Sequence, residues 1–271
     1  METLILASES CDIKNEVVCA PANVLELFKL PTWFHIGGLE FSRSTFLLFL
    51  ASFVVMGILW AGLRNPKLVP GKMQLIVEDL VGFVRDGIAR DIIGPEGTKY
   101  VPYLLSLFLF ILVGNLFEIV PFTLYPITSR MAIPALLSLI TYVIFVFVGF
   151  KKNGIRYFTD IAWPKSVPVA LRWLVGLIEV VSTFFLRPLT LAVRLFANLV
   201  AGHLMLTLML GSAAFFLVGV GDIGLKSALG LGWFGVGVGI YLFEVVVAVL
   251  QAYIFTLLSA VYIQTSVHPE H

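Results

Sequence analysis

Apolar residues run along this chain in long unbroken stretches, set apart by short polar connectors, instead of recurring on one face of each element. A helix that crosses a bilayer needs about 20 mostly apolar residues, and the pattern predicts spans over 46–64, 100–121, 133–150, 168–215 and 231–265. The first, opening at Phe46, is closed by Arg64, Asn65, Pro66 and Lys67. Gly71 to Asp91 reads differently: Leu75 and Ile76, Leu80, Phe83 and Val84, and Ile88 recur between Glu78, Asp79, Arg85, Asp86 and Arg90. That is a helical amphipathic period, and it predicts a helix over 71–91 lying along the interface. The second and third spans form a hairpin around the turn from Pro121 to Pro134. Val167 to Val220 would reach roughly 80 Å as one straight helix against a hydrocarbon core of about 30 Å, so it must be tilted, broken or partly interfacial. A Gly-rich connector carrying Asp222 and Lys226 leads to the last span. The expected fold is an all-α polytopic membrane protein with about five embedded helices, an interfacial helix and a long tilted C-terminal helix hairpin.

Composition strengthens this picture. Of 271 residues 59% are hydrophobic and only 13% charged, against an apolar share of about 45 to 50% in soluble domains; mean hydropathy is +0.98. The net charge of +1 favours neither nucleic acid nor an acidic substrate. No Gly-rich phosphate loop, Cys-x-x-Cys or His-Glu-x-x-His pattern is present, so no cofactor, metal site or catalytic residue is expected. Gly230, Gly232, Gly235, Gly237 and Gly239 follow no strand and carry the spacing of close helix packing.

Charge also orients the chain. Arg64, Lys67, Lys72, Arg85, Arg90, Lys99, Lys151, Lys152, Arg156 and Lys165 all fall on one side of this topology, and only Arg130 and Lys226 in the opposite loops. The positive-inside rule then places the N-terminus outside and the C-terminus, His268 to His271, in the cytoplasm. Residues 1–45 read as a polar, retained tail before a membrane domain over 46–271. Cys11 and Cys19 both lie in that tail, either as a pair on an oxidising face or as two free thiols.

The polar residues left at membrane depth carry the candidate chemistry. Between Leu189 and Gly211 only Arg194, Asn198 and His203 are neither apolar nor small. A guanidinium at a helix centre costs about 2.5 to 3.5 kcal/mol on insertion scales and cannot shed its proton, so something anionic or water-filled should face it. Arg194 and His203 lie roughly 13 Å apart along a helix, Glu244 and Gln251 roughly 10 Å. In an antiparallel hairpin Arg194 then lies level with Gln251, and His203 with Glu244 nearer the outer surface. Asn198 is roughly 40° round from Arg194 and His203 roughly 180°, so Arg194 and the His203/Glu244 pair should open onto different faces. Leu195 and Ala197 are expected on the face around Arg194. A titratable pair beside a cation that cannot titrate suits a proton route ending at an electrostatic barrier. Asn198 and Gln251 read equally as hydrogen-bonding residues between helices, and Arg187, beside Pro188, as a snorkelling or an acting cation. A secondary transporter binding an anion at Arg194 is the alternative; it predicts an internal repeat, and none is visible.

The stretch Arg187-Pro188-Leu189-Thr190-Leu191-Ala192-Val193-Arg194-Leu195-Phe196-Ala197-Asn198-Leu199-Val200-Ala201-Gly202-His203, with Leu250-Gln251-Ala252-Tyr253-Ile254-Phe255 downstream, resembles subunit a of the bacterial F-type ATP synthase. Asn65 to Gly71 and Asn115 to Pro121 resemble other landmarks of that family, so the likeness runs from about Asn65 to Tyr262. The resemblance implies a stationary proton-channel subunit, not itself a catalyst, in the plasma membrane. It stands against a rotating ring of c subunits, with the b subunits of the peripheral stalk and the remaining synthase subunits as further partners. It makes Arg194 the arginine facing the ring, Asn198 and Gln251 polar residues near it, and His203 and Glu244 an acid/imidazole pair of the outer half-channel. Glu118 and Thr190 take positions where the family carries Asp or Asn and Ser. Glu179 is a further proton-path candidate, although the segment between it and Pro188 is one residue longer than in the family.

Overall fold

The structure, a computed structural model, describes residues 32–36, 39–64, 67, 69–119, 131–163, 168, 171–219 and 225–267. Most of the expected tail with Cys11 and Cys19, the loops with Arg130, Lys165 and Asp222, and His268 to His271 lie outside these residues. The membrane part is all-α. Its elements are α1 (Arg43–Leu63), α2 (Lys72–Val84), α3 (Val101–Ile119), α4 (Ala132–Asn153), α5 (Arg156–Ala162), α6 (Arg172–Val181), α7 (Arg187–Ala214) and α8 (Leu225–Val267). Five helical stretches among the described residues are long and apolar enough to cross a membrane: Thr45–Leu63, Pro95–Phe117, Ala132–Asn153, Arg172–Leu217 and Ser227–Val267. The expected five embedded helices are therefore present, and the chain is a multi-pass membrane protein. Before α1 stands an element the hydropathy pattern did not predict, an antiparallel pair of strands, β1 (Thr32–Ile36) and β2 (Leu39–Ser42), with Ile36 opposite Leu39.

The long run after Val167 is divided. A wide π-helical turn, Ser182–Leu186, joins α6 to α7, and a second, Phe215–Gly219, ends α7. Such a turn bonds i to i+5 and so takes up one more residue than an α-helical turn. Pro188 adds a local reason, because it has no N–H to give the carbonyl four residues back.

Two compact units share the chain, and α1, α3, α7 and α8 run through both: unit 1 takes residues 1–49, 114–129 and 197–249, unit 2 the rest. In unit 1 the C-terminal half of α7 and the N-terminal half of α8 pack antiparallel. A Cβ at Gly202 would run into the Glu244 carboxyl, one at Gly237 into Leu210, and one at Gly230 into Phe216 and Leu217. These bare Cα atoms set the register.

In unit 2, α2 buries Gln74, Val77 and Val84 and continues through a wide turn (Arg85–Ile93) that buries Ile88, Ala89 and Ile93. Its polar face carries Arg85 and Arg90 on Asp86, both at 2.9 Å. The Arg85 hydrogen bond holds the Asp86 carboxyl below its usual range. Gly94, at φ 87 and ψ −161, makes a corner only glycine adopts without strain. Tyr103 of α3 shares a 2.7 Å hydrogen bond with Thr141 of α4, and Ser138 of α4 donates to the carbonyl of Pro188.

Candidate functional site

Unit 1 holds a cavity of about 150 Å³ between the C-terminal turns of α3 and the middle parts of α7 and α8. Asn115 enters it from α3, Asn198, Leu199, Ala201, Gly202 and Met205 from α7, and Ile240, Phe243, Glu244, Val247 and Ala248 from α8. That volume holds several waters. Glu244 is the one titratable group on this wall, and neither carboxyl oxygen has a hydrogen-bond partner among the described residues. Asn115 is 1% exposed; its Nδ2 donates to the Ala248 carbonyl at 3.3 Å while its Oδ1 stays unpartnered. A carboxyl and an amide oxygen left without partners among the described residues, beside a cavity roomy enough for water, call for water. The glycine at 202 lets the Glu244 carboxyl lie directly on the backbone of α7.

The antiparallel register brings Glu244 opposite Gly202, the depth expected for His203. The face differs from expectation. The α7 wall of the cavity is Asn198, Ala201, Gly202 and Met205, which lie within roughly 80° of Arg194 round the helix, and His203, roughly 180° away, is not part of it. Glu244 thus meets the Asn198 side of α7, and half-buried His203 stands at the same depth on another side. Spacing sets only the level; a glycine opposite a carboxylate draws the helices together on its own side.

In unit 2, Arg194 is exposed on α7 and makes no salt bridge among the described residues. It sits in an open stripe otherwise built of Leu186, Leu189, Thr190, Val193 and, further along α7, Ala197 and Met205. Leu195 is 0% exposed, so of the two neighbours expected around Arg194 only Ala197 shares its open face. The reason is the side: Leu195 is roughly 100° round from Arg194 in one direction, whereas exposed Val193 and Ala197 are roughly 100° and 60° round in the other. Thr190, one turn before Arg194, spends its hydroxyl proton on the carbonyls of Leu186 (2.7 Å) and Arg187 (3.2 Å). Gln251 is 5% exposed with its Nε2 unpartnered, and Glu179 is half-buried on α6. Glu118 lies in the last turn of α3, and its side chain is outside the described residues.

Comparison with known proteins decides the family. The profile of the ATP synthase A chain matches residues 45–264. The chain belongs to this family. Relatives named ATP synthase subunit a include that of Frankia alni, 41% identical over 254 residues (91% of this chain, 86% of the relative). That of Paenarthrobacter aurescens is 40% identical over 242 residues, covering 89% of each chain. That of Rhodopseudomonas palustris is 39% identical over 260 residues, covering 93% of this chain and 98% of the relative. Among the cavity residues that the sequence left without a role, Asn115, a landmark only, and Gly202 bear most directly on Glu244. The available signal was Asn115 itself, an amide inside an apolar span.

Proposed function

We propose that this chain is the proton-conducting subunit of a rotary ATP synthase, with two half-paths separated by Arg194. The observation that carries the reading is the exposed guanidinium of Arg194, without a salt bridge among the described residues, in a largely apolar stripe. An isolated charge at membrane depth is unfavourable unless a counter-charge passes it. The fitting partner is the ring of c subunits, each presenting one membrane carboxylate. Protons enter from outside past Glu118, His203 and the cavity of Glu244, Asn198 and Asn115, and neutralise a ring carboxylate. They ride the ring and leave to the cytoplasm on the side of Gln251, Thr190 and Glu179 after the carboxylate meets Arg194. The drive is about 2.3 kcal/mol per charge per 100 mV. The subunit makes no ATP itself; rotation delivers the energy to the catalytic head, and the b subunits of the peripheral stalk hold the chain still. In this reading the domain over 46–271 lies in the plasma membrane, with the tail outside and the C-terminus in the cytoplasm.

Disulfide mapping in the assembled complex tests the face. Cysteine at Val193 or Ala197 is expected to cross-link to cysteines beside the ring carboxylate, and cysteine at Leu195 or Leu199 to do so poorly. A stronger yield from the buried pair would remove Arg194 from the rotor interface.

Gly202→Ala is a milder probe. Its methyl displaces only the end of the flexible Glu244 side chain, so the subunit should assemble normally. ATP synthesis is expected to fall about 10-fold, inside the 10²-fold that an ångström of misplacement can cost. Full activity in Gly202→Ala would show that the position of the Glu244 carboxyl is immaterial.

A further inference from the structure

Arg187 is a second cation in α7, and the proton path above makes no use of it. It is half-buried at the first position of the helix, with Pro188 behind it and the wide turn Ser182–Leu186 immediately before it. Its Nη1 donates to Thr265 Oγ1 at 3.1 Å, and its guanidinium carbon lies 5.3 Å from the centre of the Tyr262 ring. Tyr262 and Thr265 stand three residues apart on α8, so one face of its last turns grips one side chain of α7.

That end of α8 is itself tied down. Asn153 Nδ2 donates to the Ser266 carbonyl at 3.0 Å, and the hydroxyls of Tyr157 and Ser266 share a 3.2 Å hydrogen bond. The Tyr262 ring stands 5.9 Å from that of Phe145 on α4. Burial raises the pKa of the Tyr157 phenol, against the opposing hydrogen bond of Ser266 and the charge of Arg187, so the hydroxyl keeps its proton. Ile263, Ser266 and Val267 are buried. Arg187 is therefore held by a fixed anchor.

The consequence lies two turns further on. Arg194 follows Arg187 by seven residues, roughly 20° away round the helix, so whatever fixes the direction of Arg187 fixes that of Arg194. The wide turn before α7 holds one residue more than an α-helical turn. If that extra residue passed beyond Arg194, every position it crossed would rotate by roughly 100°, carrying Arg194 off the open stripe. Pro188, whose carbonyl accepts from Ser138, marks the point such a shift has to cross. We infer that Arg187 is a positioning residue: gripped by Tyr262 and Thr265, it stops the wide turn at Leu186 and keeps Arg194 on the exposed face of α7. The inference rests on the proposed role of Arg194 for its effect on ATP synthesis, but not for its effect on the direction of α7.

The experiment is a disulfide map in membranes holding the complete complex, with Cys11 and Cys19 replaced by serine and single cysteines at Val193, Ala197, Leu195 and Leu199 against cysteines on the ring helix. Arg187→Ala is expected to reduce the preference for Val193 and Ala197 over Leu195 and Leu199 by at least about 5- to 10-fold, inside the roughly 30-fold or more that a cation–π contact and one charge-assisted hydrogen bond carry together. ATP synthesis should fall with it, and Arg187→Lys should restore part of both. A second arm answers a loss of assembly in Arg187→Ala: Tyr262→Leu should degrade the map and Tyr262→Phe, which keeps the ring, should preserve it. A normal map in Arg187→Ala, or equal maps in Tyr262→Leu and Tyr262→Phe, overturns the inference. A native map with no preferred face would instead overturn the ring-facing role of Arg194, so the two failures are distinct.

Discussion

Arg194→Ala is expected to abolish proton-driven ATP synthesis, by at least about 100-fold, while the subunit stays inserted and assembled. The size follows from position: the guanidinium is exposed and makes no salt bridge among the described residues, so its removal leaves no buried partner orphaned and takes little packing with it. What is lost is a fixed charge in a water-poor setting, and removing one preorganised electrostatic group of that kind typically costs about 10² to 10³ in rate. Arg194→Lys should recover little, because an ammonium loses its proton far more readily than a guanidinium when desolvated and lacks the planar fork that holds a carboxylate. ATP synthesis by inverted vesicles, normalised to assembled complex, measures this. Normal synthesis in Arg194→Ala would remove the barrier from the account.

Glu244→Gln should come next in size, with synthesis falling about 10²-fold, the lower end of what a positioned acid or base contributes. Glu244 is the one titratable group lining its cavity, and glutamine keeps its shape without its proton. His203 stands at the same depth off that wall, so its own replacement should cost less. Exchanging the two, His203→Glu with Glu244→His, tests their coupling. Glu244→His alone places two imidazoles at one level, each disfavouring the other's charge. The exchange should return part of the activity that this single change loses. A double variant no better than Glu244→His would show that His203 and Glu244 do not share a path.

The spans and the amphipathic α2 were legible because bilayer thickness sets a length and burial on one side sets a period, both written directly in residue order. Arg194 and Glu244 stand out as candidates for a related reason: a charge inside an apolar run has few structural explanations. Faces were harder. Counting 100° per residue gives directions on one helix, but only Gly202 against Glu244 shows which side of α7 meets α8. Leu195 was misplaced because sequence adjacency to Arg194 hides a 0% exposure set by packing. Hydropathy does not mark the strand pair before α1, although Gly-Gly, as in Gly37-Gly38 of the sequence, is a dipeptide favoured in hairpins. The grip of Tyr262 and Thr265 on Arg187 joins residues 78 apart in the case of Thr265, and no local pattern encodes it.

Proton flux with the rotor fixed is the most direct test of two half-paths and a barrier. The complex without its catalytic head would be placed in vesicles, the ring tied to the Ala197 position by a disulfide, and proton entry followed after a potassium diffusion potential is imposed. The account predicts that the fixed native complex passes essentially no protons and regains flux when the disulfide is reduced, whereas fixed Arg194→Ala leaks. A native complex that conducts as well with its ring fixed as with its ring free would contradict it.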